Sequence, residues 1–122
     1  MTISQAYKRY NKTLYGSVND PKQIVSLLFG AALKETAEAR TKLESGNGLN
    51  AADNINKTVE ILSALSNSLD KNSDKETVEY LSALYAWLSN KLLEGFRKKN
   101  IEDIKVVERY LSQVHRIWND NI

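Results

Sequence analysis

Residues 78–118 read VEYLSALYAWLSNKLLEGFRKKNIEDIKVVERYLSQVHRIW, and this stretch decides the fold. It predicts two amphipathic helices meeting at Lys99–Asn100. In the first, Val78, Leu81, Tyr85, Leu88 and Leu92 recur three and four residues apart and so share one face. Tyr80, Ala83 and Trp87 recur in the same way on a different face. In the second, Ile104, Val107, Leu111, Val114 and Trp118 form one stripe, and Val106, Tyr110 and Ile117 form another. A bundle helix needs one apolar stripe for its core. The second stripes call for a cover, from this chain, from a copy of it or from a partner.

Upstream, Asp20-Pro21 is a strong helix start, because Asp caps well and Pro at the first position forfeits no hydrogen bond. Ile24, Leu27, Leu28, Ala31 and Ala32 make a broad apolar face, which Val25 and Phe29 widen beyond a single seam. Gly30, Ala31 and Ala32 suit the close approach of another helix. The later half, KETAEARTKLE, is more polar and reads as the rim of the bundle. Gly46 or Gly48 ends this helix. Asn50 reads as the next cap, with Asp53 in the first turn. Ile55, Val59, Leu62, Ser66 and Leu69 then share a face flanked by Ile61 and Leu65. Ser73 or Asp74 caps the following helix, and Arg97 to Lys99 close it where cations suit the dipole. Asn100 caps the last helix, with Asp103 as a weaker capping-box partner.

The pattern predicts an all-α protein: an antiparallel four-helix bundle with a short N-terminal aromatic arm or helix. One domain spans 1–122, with the arm at 1–20 and helices near 21–45, 50–70, 74–99 and 101–119. The joints are short, which makes neighbours antiparallel. In the arm, Tyr7, Tyr10 and Leu14 fall on one helical face, with Ile3, Tyr15 and Val18 nearby, so the arm is expected to dock on the body.

Composition narrows the function. Lys and Arg number 17 against 15 Asp and Glu, a formal charge of +2. Lys8, Arg9 and Lys12 interleave with Tyr7 and Tyr10, a pattern that suits single-stranded nucleic acid, but the near-balanced charge argues against such a partner. There is no Cys, hence no thiol chemistry. The N-terminus lacks the apolar core of a signal peptide, and no run is long enough to insert in a membrane. These features predict a soluble, cytoplasmic protein. The one histidine, His115, has no Glu-x-x-His partner pattern, which excludes a di-iron centre of that kind, and zinc lacks ligands too. Ser112 and His115 sit three apart with no third group in view. Glu35 and Glu38 lie among Lys34, Arg40 and Lys42 and read as a solvated face. The expectation is no enzyme, no cofactor and no metal.

What remains is the doubled stripes. Side by side, the last two helices flank an outer groove lined by Tyr80, Ala83, Trp87, Val106, Tyr110 and Ile117. Helix-in-groove recognition uses such a slot, and aromatics are favoured there. The competing reading is a structural bundle that homodimerises through the same surface, so the chain is expected as a monomer or weak homodimer.

At these residues the chain resembles the flagellar export chaperone family FliS. Tyr7 and Tyr10 are similar to its paired N-terminal tyrosines. Pro21 followed by Ile24-Val25-Ser26-Leu27-Leu28-Phe29 resembles its first long helix. Leu84-Tyr85-Ala86-Trp87-Leu88 resembles a Leu-Tyr-x-Tyr-Met pattern, and Lys91-Leu92-Leu93-Glu94 resembles Arg-Leu-x-Glu. Trp118 stands where the terminal helix ends. Trp87 in place of tyrosine, Gly95-Phe96 in place of Ala-Asn, and the lack of a Gly-Gly entry depart from the pattern. The resemblance implies a cytosolic chaperone that binds the disordered C-terminal segment of flagellin. It would prevent premature polymerisation and keep flagellin ready for type III export, with the flagellar export gate as a further partner. It also implies that the N-terminal arm, with Tyr7 and Tyr10, covers part of the binding surface when no client is bound.

Overall fold

Helix starts and stops are set locally, and most of them follow the capping residues. In the computed structural model, which describes residues 1–10, 20–70, 72 and 74–121, a short helix α1 spans Ile3–Tyr10. Four longer ones follow: α2 (Pro21–Glu44), α3 (Ala52–Asn67), α4 (Lys75–Lys98) and α5 (Ile101–Asp120). There is no strand among the described residues, and the fold is all-α. Leu14, Tyr15, Val18, Lys12 and Ser73, which entered the sequence reading, lie outside the described residues.

Asp20 caps α2 by accepting from the Lys22 N–H at 3.1 Å, and Gly46, at φ +82°, turns the chain away at the other end. Asp74 accepts from the Thr77 N–H at 3.3 Å and Asn100 from the Glu102 N–H at 3.1 Å. Two expected caps are corrected. Asn50 caps nothing: Gly48–Ala51 is a 3₁₀ turn, and α3 begins after it without a side-chain cap. Asp103 does not reach back to Asn100; its carboxylate lies 3.3 Å from the Lys91 Nζ across the α4/α5 interface.

The four long helices form a ring in which α2 packs on α3 and α5, and α4 packs on the same two. Cross-pairs fix the directions. Trp118 Nε1 donates to the Lys22 carbonyl at 2.9 Å, while Arg40 Nε donates to Glu108 at 2.5 Å, so α2 and α5 run antiparallel. The core holds Leu28, Phe29, Ile55, Ile61, Leu62, Leu65, Leu88, Leu92, Ile104, Val107 and Leu111, all essentially inaccessible.

The polar half of α2 is not merely a rim. Thr36, Ala39 and Leu43 are buried, and small Thr36 and Ala39 leave room for the helices packed on α2. Thr36 Oγ1 donates to the Ala32 carbonyl at 2.8 Å, so its hydroxyl is satisfied without solvent. On α3 the buried face is rotated from the expected one: Thr58, Ile61 and Leu65 point inward, and Val59, Ser66 and Leu69 sit at its edge. Glu35 and Glu38 are not a free solvated face. Both accept from the amide of buried Asn54, at 2.7 and 3.0 Å, and Lys42 Nζ donates to its carbonyl oxygen at 2.6 Å.

Candidate protein-binding surface

The core stripes of α4 and α5 consume one face of each helix and leave the second stripes outside. Tyr80 and Ile117 are 67% and 59% exposed, and Trp87 and Tyr110 are 43% and 42% exposed. Ala83 is exposed as well, and Val106 is half-buried. Large side chains with this much open surface, on adjacent helices, are an uncommon arrangement unless something covers them.

The antiparallel register brings these residues into one line. The Trp87 and Tyr110 rings meet edge to face, with centroids 5.4 Å apart at 73°. Lys91 Nζ lies 5.4 Å from the Trp87 ring centre, and its ion pair with Asp103 closes that side. From Trp87, α4 runs back through Ala83 to Tyr80 while α5 runs forward from Tyr110 to Ile117. Tyr80, Ala83, Trp87, Val106, Tyr110 and Ile117 therefore lie on the outer stripes of α4 and α5, with Trp87 and Tyr110 in ring contact.

The other two candidate partner-binding residues, Tyr7 and Tyr10, lie elsewhere. Helix α1 lies on α2 and α3, across the ring from the α4/α5 groove. Tyr7 is buried there, and its hydroxyl finds no hydrogen-bond partner among the described residues. The Tyr10 hydroxyl donates to Glu60, and Arg9 lies 3.4 Å from the same carboxylate. Burial and the Glu60 carboxylate together push the Tyr10 phenol well above its ordinary value. Residues 3–10 of the arm dock on α2 and α3, a face other than the one between α4 and α5.

A feature that the sequence reading missed is an apolar cleft of about 520 Å³ at the end of the bundle. Val25, Phe29, Leu65, Leu81, Trp118 and Ile3 of α1 line it, and Ile117 borders it too. Phe29 anchors its floor, with the Trp118 ring edge-on at 6.2 Å and the Tyr85 ring at 6.4 Å. Burial pushes the Tyr85 hydroxyl up to about 12. The only hint in the sequence was that Val25 and Phe29 exceed a single seam. The cleft and the groove meet at Ile117.

No group of three or more His, Cys, Asp or Glu side chains that could hold a metal exists among the described residues. His115 is half-buried and packs over Gly30, where an added Cβ would sit 3.4 Å from its Cε1. No helix of the described residues is long and apolar enough to cross a membrane.

A family model described as Flagellar protein FliS matches residues 3–122. The chain belongs to the FliS family. It is 28% identical over 99 residues to the Flagellar secretion chaperone FliS of Salmonella typhimurium strain LT2, which covers 80% of this chain and 73% of that one. It is 24% identical over 102 residues to the Flagellar secretion chaperone FliS of Escherichia coli K12, covering 83% and 75%. FliS is a family of flagellar secretion chaperones and not of enzymes. Membership of a chaperone family implies a client protein as partner.

Proposed function

We propose that this FliS chain binds the C-terminal segment of flagellin in the cytoplasm, blocks its premature polymerisation and keeps it ready for flagellar type III export. The observation that supports this most is the row of exposed apolar side chains in the α4/α5 groove of a chaperone-family protein. A disordered client segment that becomes helical on docking would bury its own apolar stripe there. That removes the stripe from polymerisation, while the cost of ordering keeps the complex reversible. The flagellar export gate, as a later partner, would act on this loaded complex.

Tyr7 and Tyr10 enter through the other face. Helix α1 has eight residues, too short to be stable by itself, and the Tyr7 hydroxyl, without a hydrogen-bond partner among the described residues, weakens its docking by up to about 1 kcal/mol. A client long enough to reach α2 and α3 displaces it. The test is calorimetric titration with a flagellin C-terminal peptide, alongside mass measurement over a range of concentrations. One-to-one uptake by a monomer is the expected result. No uptake, with a mass that doubles on concentration alone, would mean that the stripes serve a homodimer.

A further inference from the structure

The two rims of the α4/α5 groove differ in charge. On α5, Lys105, Arg109 and Arg116 follow at spacings of four and seven and so form one line along the helix. That line lies about 100° around the helix from Val106, Tyr110 and Ile117, just outside the apolar stripe. All three cations are exposed. Lys105 lies 3.5 Å from Glu102. Neither Arg109 nor Arg116 is ion-paired among the described residues. The α4 rim carries Glu76, Asn90 and Glu79, all exposed, with Glu79 paired to Lys75 at 3.9 Å. A chain of nearly balanced charge therefore sets two cations, Arg109 and Arg116, with no ion pair among the described residues, beside its aromatic stripe.

We propose that the groove takes an amphipathic helix whose flank facing α5 is acidic, and that Arg109 and Arg116 select for that flank. The proposal rests on the α4/α5 groove being the client site. The apolar face of the partner supplies the main burial, and the rim charges decide which helices are admitted. Arginine suits this role because its planar fork grips carboxylates in two-bond geometry. Rim charges act on encounter and specificity more than on total affinity, and their effect is screened by salt.

The experiment is titration of a flagellin C-terminal peptide into the unaltered protein, Trp87→Ala and the double variant Arg109→Glu/Arg116→Glu, at about 50 mM and about 500 mM salt. Melting curves confirm folding, and Arg109→Gln/Arg116→Gln serves as the milder pair. Each exposed ion pair is worth a few-fold in affinity at most. The double reversal, which adds repulsion, is expected to weaken binding roughly tenfold at low salt and about twofold or less at high salt. Loss with Trp87→Ala but a dissociation constant unmoved by the double reversal at both salts overturns the rim proposal and leaves the groove reading intact. Binding unmoved by either variant overturns both. Tight binding of a 20-nucleotide single-stranded DNA, lost on reversal, with no peptide uptake, would reassign the cations to nucleic acid and overturn the proposal as well.

Discussion

Trp87 and Leu88 are adjacent in the chain and about 100° apart around α4, one facing out and one facing the core, so truncating each separates recognition from folding. Leu88 is wholly buried, and Trp87 is 43% exposed. A full tryptophan offers about 250 Å², so about 100 Å² of Trp87 stays open in the free protein. Covering that area with a client contributes about 2.5 kcal/mol at roughly 25 cal/mol per Å², which is between tenfold and a hundredfold in affinity. Trp87 also supports the fold a little, because its ring meets Tyr110 and carries Lys91 over its face. Losing an aromatic pair and part of a burial costs about 1–2 kcal/mol. Leu88→Ala removes core volume and costs about 2–5 kcal/mol. For a domain of this size each kcal/mol moves the melting temperature by about 4 °C.

The assay is calorimetric titration with a flagellin C-terminal peptide, paired with a melting curve for each variant. Trp87→Ala is expected to weaken binding by at least about tenfold and to lower the melting temperature by about 4–8 °C. Leu88→Ala is expected to lower it by about 8–20 °C while binding per folded molecule stays within about threefold. The reasoning fails if Trp87→Ala binds as the unaltered protein does. The client would then lie elsewhere, and the end cleft beside Val25 and Phe29 is the next surface to mutate.

The arm gives a second prediction: hydrogen exchange across residues 3–10 rises when flagellin peptide is added, and equal or greater protection would mean that α1 clamps the client. Tyr7→Phe removes a hydroxyl with no hydrogen-bond partner among the described residues, so it is expected to raise stability by up to about 1 kcal/mol and to weaken peptide binding by the matching factor, since a firmer arm lowers the open fraction. Tyr85 makes the fold sensitive to alkali. The folded protein keeps its phenol proton to about pH 12, against 10.0 when unfolded, so the stability it lends is complete below pH 10 and is lost as pH rises toward 12. Tyr85→Phe should flatten the fall in melting temperature over that window, and an unchanged slope would assign it to other groups. At the α4/α5 turn, Gly95→Ala puts a Cβ 2.9 Å from the Asp103 Cβ and 3.1 Å from Ile104 Cδ1, for an expected loss of about 1–3 kcal/mol. A gain in melting temperature would show that helix propensity outweighs the clash.

The legible part of this protein was what repeats along the chain. Exposed Trp87 and Tyr110, and buried Leu88 and Leu111, follow from position on a 3.6-residue period, since the period encodes both faces of a helix at once. Asp20, Asp74 and Asn100 cap as their local chemistry requires. The illegible part depends on what meets across the fold. Asn54 looks like a surface residue by type, and only the folded chain brings Glu35, Glu38 and Lys42 around it. The end cleft draws walls from α1, α2, α3, α4 and α5, so no single segment carries its signature. The aromatic face of α1 implied docking somewhere, but a face does not name its partner, and α2 and α3 took it in place of the groove.

The turn between α4 and α5 explains why Trp87 and Tyr110 meet edge to face. The Asn100 N–H donates to the Gly95 carbonyl at 2.8 Å and the Lys99 N–H to the Phe96 carbonyl at 3.2 Å, a Schellman closure with Lys99 left-handed at φ 55°. Glycine normally takes that left-handed position; here it stands four residues earlier, at Gly95. The missing side chain there does a different job. It lets the start of α5 sit against the end of α4, with Asp103 and Ile104 in the space that a Cβ would occupy. Helices joined this closely stay near one another for the next two turns, where Lys91 meets Asp103 and Trp87 meets Tyr110. Farther along, Tyr80 and Ile117 are more exposed than the central pair, and the end cleft opens beside Ile117. The α4/α5 face therefore has a tight end at Gly95 and an end beside the cleft at Ile117. A docked helix would find its firmest anchor at Trp87 and Tyr110 and its freest space near Ile117.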